Sequence, residues 1–315
     1  MTDSTSLVQR HHQYLIDRVM PKRQIHLIGG ASGAGKTTIA FQILNDFQAG
    51  KDVFGYKTFP EPVIYVASDR DDEETLRTLD RMHIKPDFPC IGMSDRPEWT
   101  ARAKREGKAE YIVVLEELRK AWPNHKAIVW DGFSFMVAGD QNKNSDVSQF
   151  LRHIHSYIKA NDITIIGIVN APKMKEDGRY SIPRQRISGA AAWQHVSNCI
   201  LLVEQVSPED PHDTTRNVWV CPRNQHDQCF KMEFTDQGLL AFVTPNGGAS
   251  EQTNWDDVVR AAIKDHPQGA MLTRAWFLEE LQIPEGSIGR VLRSLIDDEV
   301  LKKGEKGIYQ IPYRS

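Results

Sequence analysis

Several features that would assign the chain to a simple class are missing from its 315 residues. No run of about 18 apolar residues occurs, so no membrane span is expected. The start, MTDSTSLVQRHHQYL, has no apolar signal-peptide core. Cysteine is scarce: Cys90, Cys199, Cys221 and Cys229 are the only four, and none forms a CxxC pair. That usage suits a reducing compartment, so a cytoplasmic protein with buried thiols is expected. Cys221, His226 and Cys229 lack zinc spacing and read as structural. Charge of one sign is lacking too. The 39 Lys and Arg face 42 Asp and Glu, for a net charge of −3. This excludes a globally basic, histone-like binder but not a local basic surface. Repeats and low-complexity tracts are absent. What remains is 40% hydrophobic and 26% charged, ordinary for a soluble globular protein. At roughly 150 residues per domain, the length predicts about two domains.

Apolar segments alternate with amphipathic ones along the chain. Residues 1–20 read as a short polar helix with Leu15, Ile16 and Val19 as its apolar stripe, ended by Pro21. Strands are expected at 24–28, 63–67, 127–130, 163–169, 200–206 and 218–221. Helices are expected from Lys36 to about Asp46, from the acidic stretch 69–74 toward Met82, over 102–121 as one or two pieces, and over 147–160. Such alternation predicts an α/β domain with a mainly parallel central sheet. The Gly-, Ser- and Asn-rich stretch TPNGGASEQT reads as a linker, which gives domains at 1–244 and 254–315 joined by 245–253. Past it, three helical patterns (255–265, 273–281, 285–298) and a hairpin over 300–311 match a winged helix-turn-helix layout.

The strongest motif is Gly30-Ala31-Ser32-Gly33-Ala34-Gly35-Lys36-Thr37, an ungapped GxxxxGK followed by Thr, with Thr38 continuing it. It follows an expected strand and opens an expected helix, which is the context a phosphate loop needs. Glycines let backbone N–H groups curl round phosphate oxygens, and the helix N-terminus adds partial positive charge. Lys36 would meet the β and γ phosphates, and the Thr37 hydroxyl would ligate Mg²⁺. ATP and Mg²⁺ are therefore the expected ligands; a plain Gly-rich turn is the alternative.

Such a loop needs a carboxylate for the metal shell. Asp131 ends the strand 127–130 at the Walker B position, although Asp131-Gly132 also reads as a turn. Asp69 follows the strand 63–67 and is the candidate for activating water, beside a solvated acidic helix start over Asp71–Glu74. Asn170 closes the strand 163–169 and is a candidate γ-phosphate sensor or a strand-end turn residue.

The segments PKRQIHLIGGASGAGKTTIA, VIYVASD, AIVWDGFSFM, ITIIGIVNAPK and VWVCPRNQ occur in an order and spacing that resembles RecA-like core ATPases. The nearest likeness is to hexameric replication helicases of the RepA type, with KaiC and DnaB as cousins, over about residues 14–235. The resemblance implies a glutamate where this chain has Asp69, and His residues near Asn170-Ala-Pro-Lys173. It implies that Arg223 is a basic finger acting on a neighbouring subunit's nucleotide; an ordinary surface arginine is the alternative. It also implies DNA-contacting loops at 139–146 and 172–189 in a ring or filament. The second loop holds Lys173, Lys175, Arg179, Arg184 and Arg186 against two carboxylates, for a local charge of +3. Repeated round an oligomer, that charge would bind single-stranded DNA without base readout, with Tyr180 able to stack on a base. A solvated loop is the plain alternative.

In the last helix Ile288, Val291, Leu292, Leu295 and Ile296 form the expected buried face, which leaves Arg290 and Arg293 outward as in a recognition helix. Yet residues 252–315 hold nine Lys and Arg against ten Asp and Glu, so the partner is duplex DNA or a protein. The sequence reads as an ATP-driven motor on DNA, of the replicative helicase kind. A recombination or loader ATPase without unwinding and an ATP-gated regulator stay open.

Overall fold

The computed structural model describes residues 13–170, 187, 191–207, 210, 212–243, 249–250, 255–281, 283, 285–305 and 307–312. The chain divides into two compact units, one spanning residues 10–249 and the other containing 250–315.

The larger unit is built on a ten-stranded sheet. Its parallel half holds β3 (Ile25–Gly30), β4 (Val63–Ala67), β5 (Cys90–Gly92), β6 (Ala127–Asp131), β7 (Thr164–Asn170) and β8 (Cys199–Gln205). Its antiparallel half adds β9 (Thr215–Pro222), β10 (Gln228–Phe234) and β11 (Leu240–Val243), and the short β12 (Ala249–Ser250) lies beside β11. The order is β12-β11-β10-β9-β8-β3-β7-β6-β4-β5. All residues of β3, β4 and β6 are buried, as unbroken apolar strands covered on both faces should be. In β9 burial alternates at its start, the pattern of an antiparallel strand with one wetter face.

Helix α1 (Lys36–Gln48) covers one face, where Phe41, Leu44 and Phe47 join Ile28, Tyr65 and Val129 in one core. The other face is covered by α4 (Glu110–Ala121) and α5 (Asn144–Asn161). There Leu118, Val147 and Ile154 join Leu27, Ile128 and Ile165. Two further helices, α2 (Asp72–Arg81) and α3 (Pro97–Glu106), flank β5 in sequence. The one-or-two-helix reading of 102–121 resolves as two, because Gly107 caps α3 in the left-handed region at φ 62°. A short α6 (Ala192–Val196) precedes β8.

The opening helix is corrected only in its last part: residues 1–12 lie outside the described residues, and over 14–21 the chain forms a β-pair, β1 (Tyr14–Ile16) with β2 (Met20–Pro21). Leu15, Ile16, Val19 and Met20 are all buried, and their spacing suits a helix stripe and a tight antiparallel pair equally. Tertiary burial decides the outcome. Of the cysteines, Cys199 and Cys221 are buried as expected, but Cys90 and Cys229 are half-buried. The polar segment 139–146 is shorter as a loop than expected, since α5 begins at Asn144.

The smaller unit holds α7 (Trp255–Ala262), α8 (Arg274–Glu279), α9 (Glu285–Asp297) and a three-stranded sheet. In that sheet β15 (Ile308–Gln310) lies between β13 (Met271–Thr273) and β14 (Lys302–Lys303). The expected terminal hairpin thus gains a third strand from before α8. Val259, Phe277, Ile288, Val291, Leu292 and Leu295 form its core, so α9 buries the face its spacing predicts. The linker 245–253 lies largely outside the described residues.

Candidate active site

The parallel strands β3, β4, β6 and β7 end at one edge of the sheet, and the chemistry gathers there. Gly30 ends β3 in register with Asn170 of β7 and Val203 of β8. A side chain at Gly30 would put its Cβ 2.6 Å from the Val203 carbonyl oxygen, so the tight exit from the strand requires glycine. Gly35, at φ 102°, then turns the chain into α1. Helix α1 has no side-chain cap and no acidic residue in its first turn, which leaves its N-terminal N–H groups and dipole for an anion.

Lys36 donates from Nζ to the Ala31 carbonyl at 2.9 Å, folding its side chain over the loop. Burial pulls its ammonium below the usual lysine range, and the Asp131 carboxylate opposes that pull. Thr37 donates from Oγ1 to Asp131 Oδ2 at 2.8 Å. Tyr65 of β4, fully buried, donates its hydroxyl to the same oxygen at 2.8 Å. Burial first, then the Asp131 charge, holds the Tyr65 hydroxyl well above its ordinary pKa, so it remains a donor. Beside this pair, Arg70 Nη2 stands 3.6 Å from Asp131 Oδ2 and 3.4 Å from Thr37 Oγ1. Asp69 lies 3.8 Å from Arg70 Nε with its side chain 46% exposed, so its carboxylate is open to water.

A cavity of about 520 Å³ joins these groups. Ser32, Gly33, Gly35, Lys36, Thr37, Thr38, Asp69, Asp131 and Asn170 all line it, so the expected loop, carboxylates and sensor converge. Ala31 supplies the carbonyl that holds Lys36, and Ala34 is buried beneath the loop. For a hard dication the fit is good: a hydroxyl and a carboxylate oxygen converge at 2.8 Å, and Mg²⁺ is commonly held by one or two such groups plus substrate phosphates. Among the described residues no cluster of three or more His, Cys, Asp or Glu could hold a metal.

Arg223 is not brought to this cavity. It follows β9, and its backbone N–H donates to the Asn198 carbonyl at 2.7 Å. Pro222 pairs with Cys199, and Cys199 with His26, so Arg223 belongs to the opposite edge of the sheet from Gly30. Lys173, Lys175, Arg179, Tyr180, Arg184 and Arg186 lie outside the described residues. Arg290 and Arg293 fall on α9, with Arg293 exposed.

Sequence reasoning missed a second layer. Phe234 at the end of β10 lines the cavity and lies 2.7 Å from where a Gly35 Cβ would stand. The buried Arg216 of β9 sits 4.9 Å over the Phe234 ring and donates from Nε to the Ala34 carbonyl at 3.0 Å. Tyr65, Arg70 and Phe135 also belong to the site. Only Arg70, next to Asp69, carried a local signal.

A phosphate loop at the C-terminal edge of a mainly parallel sheet, with the Asp131 strand separated from the loop strand by β7, is the arrangement of a P-loop ATPase. The chain belongs to the AAA domain family, whose model matches residues 2–176. No curated protein shows significant similarity to it. Among solved structures, a KaiC-like protein from the hyperthermophilic archaeon Pyrococcus horikoshii OT3 is similar at 14% identity and a TM-score of 0.47, covering 72% of this chain and 93% of that one. The ATPase domain of a second protein is similar at 13% identity and a TM-score of 0.49, covering 71% and 86%.

Proposed function

We propose that the chain is an oligomeric ATP-driven motor that acts on single-stranded DNA, of the replicative helicase kind. The observation that carries the nucleotide chemistry is the convergence of Lys36, Thr37, Asp69, Asp131 and Asn170 on one cavity. In this reading the backbone from Gly30 to Thr38 wraps the phosphates, and Lys36 exchanges the Ala31 carbonyl for the β and γ oxygens. Bound Mg²⁺ would neutralise phosphate charge and polarise the transferred group. Thr37 and Asp131 would hold it, with Tyr65 fixing the carboxylate from behind. Asp69, exposed at the cavity wall, orients the attacking water and takes its proton. Asn170 reads the γ-phosphate by hydrogen bonds.

Arg223 acts in trans on a neighbouring subunit. Its position at the far sheet edge supports this, since it is remote from its own loop. DNA contact is assigned to Lys173, Lys175, Arg179, Arg184 and Arg186, on the strength of their clustered charge. The unit containing 250–315 is read as a winged helix, with α9 as recognition helix carrying Arg290 and Arg293. Its excess of carboxylates supports a protein partner as the second reading for that unit. Among the described residues no helix is long and apolar enough to cross a membrane; the cysteine usage supports a cytoplasmic setting.

The test is ATP hydrolysis with and without single-stranded DNA, with strand displacement and the mass of the assembly measured in parallel. Stimulation with displacement by an oligomer is expected, and Lys36→Ala should abolish both. Stimulation without displacement would make the protein a loader. Duplex binding that survives Lys36→Ala but is lost without residues 252–315 would make it a regulator. Hydrolysis unchanged in Lys36→Ala would overturn the reading.

A further inference from the structure

Arg70 has no part in the roles assigned so far, yet it is the side chain that spans them. Its guanidinium reaches toward Thr37 Oγ1 at 3.4 Å and Asp131 Oδ2 at 3.6 Å through Nη2, and toward Asp69 Oδ1 at 3.8 Å through Nε. The side chain is 21% exposed and lines the nucleotide cavity. Lys36, the other cation lining that cavity, is turned toward the Ala31 carbonyl. Among the described residues Arg70 is therefore the cation nearest the two oxygens that would ligate a divalent metal.

Two cations cannot share that position without cost. A dication at about 2.1 Å from Thr37 Oγ1 would stand within a few ångströms of the guanidinium, and like charges at that range repel strongly in a half-buried site. A guanidinium with several donors can, however, meet phosphate oxygens directly.

We propose that Arg70 is a resident counter-ion of the metal position: it competes with the divalent cation for Thr37 and Asp131, and it supports nucleotide binding when no divalent cation is present. This rests on the nucleotide-site reading above. Arg70 is thus a positioning residue that sets how far nucleotide binding depends on metal. No covalent step is involved.

The test is ADP affinity of the full chain by calorimetry, in Mg²⁺ and in excess chelator, for the natural protein, Arg70→Gln and Arg70→Lys. The natural protein should bind ADP within about threefold of the same affinity in both conditions. In Arg70→Gln the ratio of the two dissociation constants should rise by at least tenfold, or about 1.4 kcal/mol. That rise should come from weaker metal-free binding, and the Mg²⁺ concentration for half-maximal ADP binding should fall. Arg70→Lys keeps the charge but loses the planar fork, so it should fall between the two. A purely structural role would lower both affinities together and leave the ratio unchanged, and that result overturns the proposal. A higher Mg²⁺ requirement in Arg70→Gln overturns it as well. If the natural protein binds no ADP in either condition, the nucleotide-site reading fails instead. Should Arg70→Gln not fold, the same ratio in Arg70→Lys decides the matter.

Discussion

At the scale of the residue, two buried groups, Tyr65 in the site and His26 at the other end of β3, carry most of the checkable energetics. Tyr65 gives its hydroxyl to the Asp131 oxygen that Thr37 also serves. A hydrogen bond to a charged acceptor contributes about 1.5 kcal/mol or more. Tyr65→Phe should therefore destabilise the fold by about 1.5 kcal/mol, read as a lower urea midpoint at unchanged slope. His26 sits fully buried on β3, with Nε2 2.8 Å from the Pro21 carbonyl oxygen. Burial lowers its pKa from 6.5 to about 4, against that hydrogen bond. The unfolded chain thus takes up a proton on His26 near pH 6.5, while the folded chain resists doing so until about pH 4. Stability is complete above pH 6.5 and falls as the pH drops toward 4, by about 3 kcal/mol in all. Urea midpoints measured between pH 7 and 4.5 should show this slope, and His26→Gln, which cannot titrate, should flatten it.

At the scale of the element, the antiparallel strands β9 and β10 reach back to support the phosphate loop. Phe234 ends β10 against Gly35, and Arg216 locks both the ring and the Ala34 carbonyl. In Gly35→Ala the new methyl meets the ring and the φ of 102° is strained, so a loss of about 2 kcal/mol is expected. Phe234→Ala in the same chain removes the clash but not the strain. The two changes should therefore be non-additive by about 1 kcal/mol in a double-mutant cycle. These elements also show where the sequence was readable. The loop is contiguous, and Asp69, Asp131 and Asn170 each stand at or just past the end of an apolar run. Parallel strands carry such ends to one edge, so the site's first layer could be read along the chain. Phe234 and Arg216 reach the loop only through the register of β9 with β10, Arg216 opposite Met232, which no local pattern reveals. Leu15, Ile16 and Val19 misled for the same reason: their spacing fits two local structures, and burial against the rest of the unit selects the β-pair.

At the scale of the whole molecule, the sheet separates the two ends of the proposed chemistry. The loop leaves β3 at Gly30, while Arg223 follows Pro222, which pairs through Cys199 with His26 at the start of β3. The span from His26 to Gly30 is roughly 13 Å of extended strand, so an arginine tied to the far edge cannot serve its own phosphates without breaking that pairing. If Arg223 contributes to hydrolysis, it does so across a subunit boundary, and activity then belongs to the assembly. On that reading Arg223→Ala should lower the rate on the order of 10³-fold while leaving ADP affinity intact, since a finger in trans would act on transition-state charge. Lys36→Ala should be inactive because its own phosphate site is damaged. The two inactive proteins are complementary: one offers an intact finger, the other an intact loop. Mixing them should restore measurable ATP hydrolysis at their shared interfaces, with the restored rate peaking near equal proportions. A mixture that stays inactive while forming mixed assemblies by native mass measurement would assign Arg223 to the surface and leave hydrolysis to each subunit alone.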